Sequence, residues 1–222
     1  MVQSFWSPIY LSITIALTAG IIVTLLGILI GRLMARKSFT GKTMIETFLM
    51  LPLVLPPTVV GFLLIIIFGL NSPIGQLITQ LFGHSLIFTW WAAVIAAVVV
   101  SFPLIYQSAK TGFESVDPEI EDAAKMDGAG KLQVFLKVTM PLAIQALITG
   151  GVLSFTRALG EFGATLMFAG NVPGKTQTVP TAIYLAMDSG NMKLAWLWVG
   201  SIIVLSYIML FAIYRLPQKT RA

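Results

Sequence analysis

Apolar residues run along this chain in long unbroken stretches rather than in alternation. Five stretches stand out, at about 9–31, 46–69, 86–108, 142–168 and 194–214. Each meets or nearly meets the ~20 residues an α-helix needs to cross the hydrocarbon core of a bilayer. Strands of a membrane barrel would alternate polar and apolar positions, whereas Ile21–Ile30 and Ala92–Val100 are continuous. The pattern predicts an all-α integral membrane protein with five transmembrane helices.

The polar positions between the stretches predict orientation. Arg32, Arg36, Lys37 and Lys42 follow the first stretch and nothing basic precedes it, which puts the N-terminus outside and the loop 32–45 in the cytoplasm. The same order, and the length of the stretch, argue against a secretory signal. Alternation then puts 70–85 and 169–193 outside, and 109–141 and the C-terminus inside. The inside segments hold eleven basic residues, ending with Arg215, Lys219 and Arg221, against Lys175 and Lys193 outside. A missing or added span would destroy that bias, so five spans, N-out and C-in, is the expected topology.

Composition narrows the class. Of 222 residues, 57% are hydrophobic and 10% charged, with mean hydropathy +0.90, far from a soluble domain. Fourteen basic and nine acidic residues cannot coat a soluble domain of this size, which excludes a soluble enzyme and a nucleic-acid-binding domain. The net charge of +5 reports orientation rather than a nucleic-acid partner. With no cysteine and a single histidine, His84 in an outer loop, no disulfide framework, metal site or cofactor is expected. The run Gly170-Asn171-Val172-Pro173-Gly174-Lys175-Thr176 has three residues between its glycines, where a phosphate-binding loop needs four. It also lies outside and follows no buried strand. The loop 169–193 reads instead as a turn and a short helix.

The longest polar stretch inside, 114–141, holds six of the nine acidic residues. Asp117 suits an N-cap and Pro118 the first helical position. Glu119 and Glu121 suit the positive end of a helix, and Gly128 can take the left-handed conformation that stops it. A second helix is expected from Lys131, with Leu132, Phe135 and Leu136 on one face, lying near the membrane surface. Pro141 then marks the start of the fourth span. The local pattern leaves two readings open: a short helix that plugs into a groove on a partner, or a solvated loop with an interfacial helix.

The segment resembles the EAA loop of ABC-importer permeases, whose pattern is E-A-A, three residues, G, nine residues, I-x-L-P. Asp122 falls at the glutamate position with Glu121 just before it; Ala123, Ala124, Gly128 and Pro141 match, and Val138 and Met140 stand for isoleucine and leucine. Residues 51–61, LPLVLPPTVVG, and 154–184, SFTRALGEFGATLMFAGNVPGKTQTVPTAIY, resemble the molybdate permease subunits of type I ABC importers. Sulfate permeases share much of the second stretch. The resemblance covers about 9–215. It implies a single permease domain over 1–222 with the type I importer fold, in a bacterial or archaeal cell membrane. It implies as partners a second permease subunit in a homodimer, two ATP-binding subunits, an extracytoplasmic substrate-binding protein and lipid. It further implies that Glu121, Asp122, Ala123, Ala124, Gly128 and Pro141 couple the chain to the ATP-binding subunit. The chain is then a non-catalytic subunit for molybdate, with tungstate, sulfate or thiosulfate as alternatives in the same superfamily.

Arg157 and Glu161 stand four residues apart in the fourth span, so they share a helix face and can pair. Ionisable groups at that depth are costly and face protein or water. Two roles fit: lining the translocation path or dimer seam, or locking helix packing. Pro52, Pro56 and Pro57 interrupt the second span, either as a bend that shapes the path or as a static kink. Gly27 and Gly31 have the spacing of a close helix contact, which also arises by chance in a glycine-rich chain. A membrane-embedded enzyme would need a nucleophile and base converging in the spans. An ATP-independent secondary transporter would show repeats and ionisable residues spread over several spans. Neither pattern is present.

Overall fold

The computed structural model describes residues 2–214, with side-chain surroundings for 5–211. The expected basic tail with Arg215, Lys219 and Arg221 lies outside the described residues. Among those described, all regular structure is helical. α1 (Val2–Arg36) is the first span, α2 (Lys42–Val54) and α3 (Pro57–Phe68) are the limbs of the second, α4 (Pro73–Phe82) lies in the outer connection, and α5 (Trp90–Glu114) is the third span. α6 (Pro118–Met126) precedes α7 (Lys131–Val134), a π-turn (Phe135–Thr139) and α8 (Met140–Leu159). These last three run on as one helix of 29 residues. α9 (Gly163–Phe168), α10 (Val179–Asp188) and α11 (Met192–Tyr214) follow. Among the described residues four helices are long and apolar enough to cross a membrane, five if α2 and α3 count as one broken span.

α1, α5 and α8 pack into a triad with α5 at its centre. Its interior is lined by small side chains, among them Ala16, Ala19, Ala93, Ala96, Ala97 and Ala109, all buried. Lipid is as apolar as leucine, so helices in a membrane gain from close backbone approach rather than from burial alone. Gly27 and Gly31 make that approach. A Cβ on Gly27 would sit 2.7 Å from Ile105 and one on Gly31 2.8 Å from Ala109. The paired glycines are therefore an α1–α5 contact within the chain.

The two ends of α1 fix the polarity of the bundle. Its last turn meets α6 through Arg32 and Arg36. Its first half meets α10 and α11. There the Val179 N–H donates to the Ser12 hydroxyl at 2.8 Å, and the Trp198 indole donates to the Phe5 carbonyl at 3.0 Å. Loops 32–45 and 109–141 thus share one end and 169–193 the other, as the charge pattern requires.

Two expectations need correction. The second span, read as 46–69, is two helices meeting at 117°. The cause is local: Pro56 forces Leu55 into an extended conformation, φ −69° and ψ 141°, and Pro57 starts the next helix where a missing N–H costs nothing. Pro52 sits inside α2 without ending it. The fourth span, read as 142–168, begins at Lys131 and stops at Leu159. The helix from Lys131 therefore does not lie on the membrane surface but continues into the span. Leu132 and Leu136 are exposed, while Phe135 packs on the Phe113 ring. Pro141 explains the irregular turn between: it cannot donate to the carbonyl four residues back, and just before it the Met140 N–H bonds the Phe135 carbonyl, five residues back.

Candidate functional site

At the cytoplasmic end, α6 is capped as its sequence dictates. The Asp117 carboxylate accepts the Glu119 N–H at 2.9 Å. Gly128, at φ 88°, ends the helix, with the Ala129 N–H returning to the Ala124 carbonyl at 3.1 Å. Glu121 turns inward and is 6% exposed. Its Oε1 lies 3.0 Å from both Arg32 and Arg36 of α1 and accepts the Thr139 hydroxyl. Arg36 also donates to the Val116 carbonyl at 3.2 Å, and the Arg32 guanidinium lies 5.7 Å from the Phe113 ring centroid and 5.8 Å from that of Phe135. Burial pushes the Glu121 carboxyl up, but the Thr139 hydroxyl and the two guanidiniums outweigh it and hold it below the ordinary carboxylate value.

Asp122 faces the other way, exposed, and pairs with Lys125 at 2.7 Å. The two acids that the sequence leaves side by side at the motif position are thus divided between anchor and surface. Beside Asp122, Ile120, Ala123 and Met126 are exposed and Ala124 is half-buried. Pro141 is exposed at the start of α8 and touches none of these residues directly in a hydrogen bond or ion pair; its effect is on the π-turn that presents Thr139 to Glu121.

A second cluster joins α2 to α5. Lys110 lies 2.7 Å from Glu46 and 3.7 Å from Glu114. No residue of α2 is buried, and a groove of about 370 Å³, lined by Thr47, Met50, Val54, Tyr106 and Lys110 among others, separates it from α5.

The third cluster lies at the helix breaks. Arg157 Nη1 donates to Glu161 Oε2 at 2.6 Å, and Glu161 Oε1 accepts the Ala164 N–H at 2.7 Å. Glu161 is 2% exposed, whereas the Arg157 side chain is 30% exposed. A Cβ on Gly163 would sit 3.0 Å from Pro57, so the α2–α3 break and the α8–α9 break adjoin. The Ser154 hydroxyl donates to the Ser101 carbonyl at 3.1 Å, near the middle of the 25 residues of α5, and Arg157 lies one turn further along α8, which puts the junction at mid-depth of the spanning helices. The structure thus gathers Pro56, Pro57, Arg157 and Glu161 at one level and leaves Pro52 in the lower limb.

Outside, the Val172 carbonyl accepts the N–H groups of Lys175, Thr176 and Gln177. The glycine-bounded run folds on itself and leaves no cradle for a phosphate. His84 is exposed. Among the described residues no three His, Asp or Glu side chains are grouped to hold a metal ion.

Sequence reasoning used Arg32 and Arg36 only as orientation markers and missed Thr139, Glu46 and Lys110. The arginines carried a signal, since they stand four apart at the end of a helix and share a face. Thr139 carried none, because its direction depends on the π-turn.

Residues 24–221 match the family described as binding-protein-dependent transport system inner membrane component. A candidate molybdenum transport system permease protein, YvgM of Bacillus subtilis (strain 168), is 62% identical over 95% of this chain and 93% of its own length. The molybdenum transport system permease protein ModB of Escherichia coli (strain K12) is 41% identical over 83% of this chain and 80% of its own. A chain of the MetNI methionine ABC transporter, solved in inward-facing conformations, superposes with a TM-score of 0.74 over 97% of this chain and 95% of that one. At 16% identity it shows the fold. The relatives are transport permeases rather than enzymes, and the apolar helices make this a multi-pass membrane protein. With nearly the whole chain matched, the protein belongs to the family of binding-protein-dependent transport system inner membrane components.

Proposed function

We propose that this chain is the permease subunit of an ATP-driven importer for molybdate in a bacterial or archaeal cell membrane. It acts as one membrane domain over residues 1–222, with 114–141 as its cytoplasmic coupling loop. Two copies pair, and the dimer works with two ATP-binding subunits and an extracytoplasmic substrate-binding protein that docks over the outer loop 169–193. The names of the relatives support the cargo, and the family's description supports the dependence on a binding protein.

The observation that carries the coupling role is the two-sided build of α6. Its inner side is held by Glu121 to α1 and to the base of α8, while Ile120, Ala123 and Met126 face out beside Asp122. Such a helix offers a partner a small apolar surface and transmits displacement into two spans. Closure of the ATP-binding dimer moves α6, and α1 and α8 move with it, shifting the membrane helices between inward-open and outward-open arrangements. Gly128 sets the turn behind α6, and Pro141 sets the π-turn that gives the anchor its hydroxyl. The chain performs no chemistry itself.

The test is co-purification with the ATP-binding subunit, then ATPase in liposomes with and without a molybdate-loaded binding protein. A stable complex stimulated by the loaded protein is the expected result. Stimulation by sulfate but not molybdate overturns the cargo. Absence of any complex overturns the importer.

A further inference from the structure

Arg157 and Glu161 form a pair, but an unequal one. A pair serving only to lock helices would hide both charges from lipid. Here the acid is hidden and the base is not: Glu161 is 2% exposed, and the Arg157 side chain 30%. Both oxygens of Glu161 are committed, one to Arg157 and one to the Ala164 N–H at the start of α9. The acid is therefore tied into the backbone of the helix break. Arg157 reaches it through Nη1, and no second hydrogen-bond partner of that guanidinium occurs among the described residues. Its other N–H groups are left for the open flank. Exposed Gly160, which has no side chain to cover it, lies on the same turn.

A half-open guanidinium near mid-membrane does not face lipid, where a charge is too costly; it faces water or a second protein surface. We propose that Arg157 is the mid-membrane anion contact of the translocation path, taking a tetrahedral dianion in passing. This rests on the importer reading. The planar fork of an arginine matches two oxygens of such an anion. Glu161 aims that fork, and its negative charge keeps the hold weak enough for release, as conduction through a path requires.

The chain has no cysteine, so single cysteines can be introduced without a prior deletion. In the reconstituted complex with its ATP-binding partner, Arg157→Cys and Gly160→Cys are expected to react with an anionic, membrane-impermeant thiol reagent at least tenfold faster than Ile203→Cys on the exposed face of α11. Arg157→Gln is expected to lower molybdate uptake per ATP hydrolysed at least tenfold, and Arg157→Lys to retain more. Gly160→Cys keeps Arg157 in place, so the labelling stands even where Arg157 variants assemble poorly. Absence of labelling at both positions in nucleotide-free and ATP-bound states overturns the proposal. So does normal uptake per ATP in Arg157→Gln, or recovery of uptake in Arg157→Leu with Glu161→Leu, which is what a packing pair would show. An unchanged complex whose ATPase ignores the binding protein whether loaded with molybdate or with sulfate overturns the importer reading instead, and this contact with it.

Discussion

Glu121→Gln separates anchor from surface on α6. The carboxylate accepts the Thr139 hydroxyl and meets two guanidiniums at 3.0 Å, with its side chain 8% exposed. The amide keeps the size, removes the charge, and leaves Arg32 and Arg36 facing each other uncompensated. Hydrogen bonds to charged groups contribute ~1.5–3 kcal/mol each. The arginine side chains are 24% and 26% exposed, so water recovers part of the loss. The expected net is about 2–3 kcal/mol of weaker α6 docking, or roughly 30- to 150-fold less protection of its amides. Hydrogen exchange on the purified chain reads this directly, with α5 as internal reference. Asp122→Asn, on the exposed side, is expected to change protection by about 0.5 kcal/mol or less. The pH dependence follows the sign of the Glu121 shift. Its folded value is below the unfolded one, so the docking contribution is complete above the ordinary carboxylate range and is lost as pH falls through the lowered value. Intrinsic-rate-corrected protection of α6 should therefore hold from about pH 7 to about pH 5. Wild-type protection in Glu121→Gln, or a larger effect from Asp122→Asn, refutes the division of labour between the two acids.

Two further outcomes follow from glycines. Gly128 adopts φ 88° with open space around a Cβ, so Gly128→Val acts through the backbone, at about 1–2 kcal/mol, and not through bulk. Uptake per ATP in liposomes should fall for Gly128→Val and less for Gly128→Asn, which tolerates that conformation. Gly61→Ala would set a Cβ 2.7 Å from the Met167 Cβ and 2.9 Å from the Ala164 Cα. Thermal unfolding in detergent should show about 1–3 kcal/mol of destabilisation, whereas Gly200→Ala, whose Cβ would meet nothing beyond its own helix backbone within 4 Å, should be neutral or stabilising.

The spans were legible because lipid imposes one rule on long stretches of sequence, and apolar length obeys it. The caps of α6 were legible for the opposite reason: Asp117, Pro118 and Gly128 act within a few residues of where they stand. The prolines announced the break in the second span. The break after Leu159 carries no proline, and Arg157 and Glu161 at helical spacing masked it although Gly160 and Gly163 stand beside them; the break depends on α9 packing beside α3. The choice between Glu121 and Asp122 also escaped local reading. Helix phase alone does not say which face meets a partner, and Arg32 lies 89 residues away in the chain.

The π-turn at Phe135–Thr139 has a bearing on azimuth. A π-turn carries about one residue more than an α-turn, and one residue is worth about 100° of rotation. Every side chain beyond Pro141 is therefore clocked by that amount relative to a straight helix drawn up from Lys131. The angle between the Lys131 end of the helix, which follows α6, and Arg157, in α8 beyond the turn, is shifted by this single irregularity. Deleting one residue from 135–139 would let that turn close as an α-turn and keep the guanidinium near its present azimuth, whereas deleting one residue within α8 would swing it by about 100°.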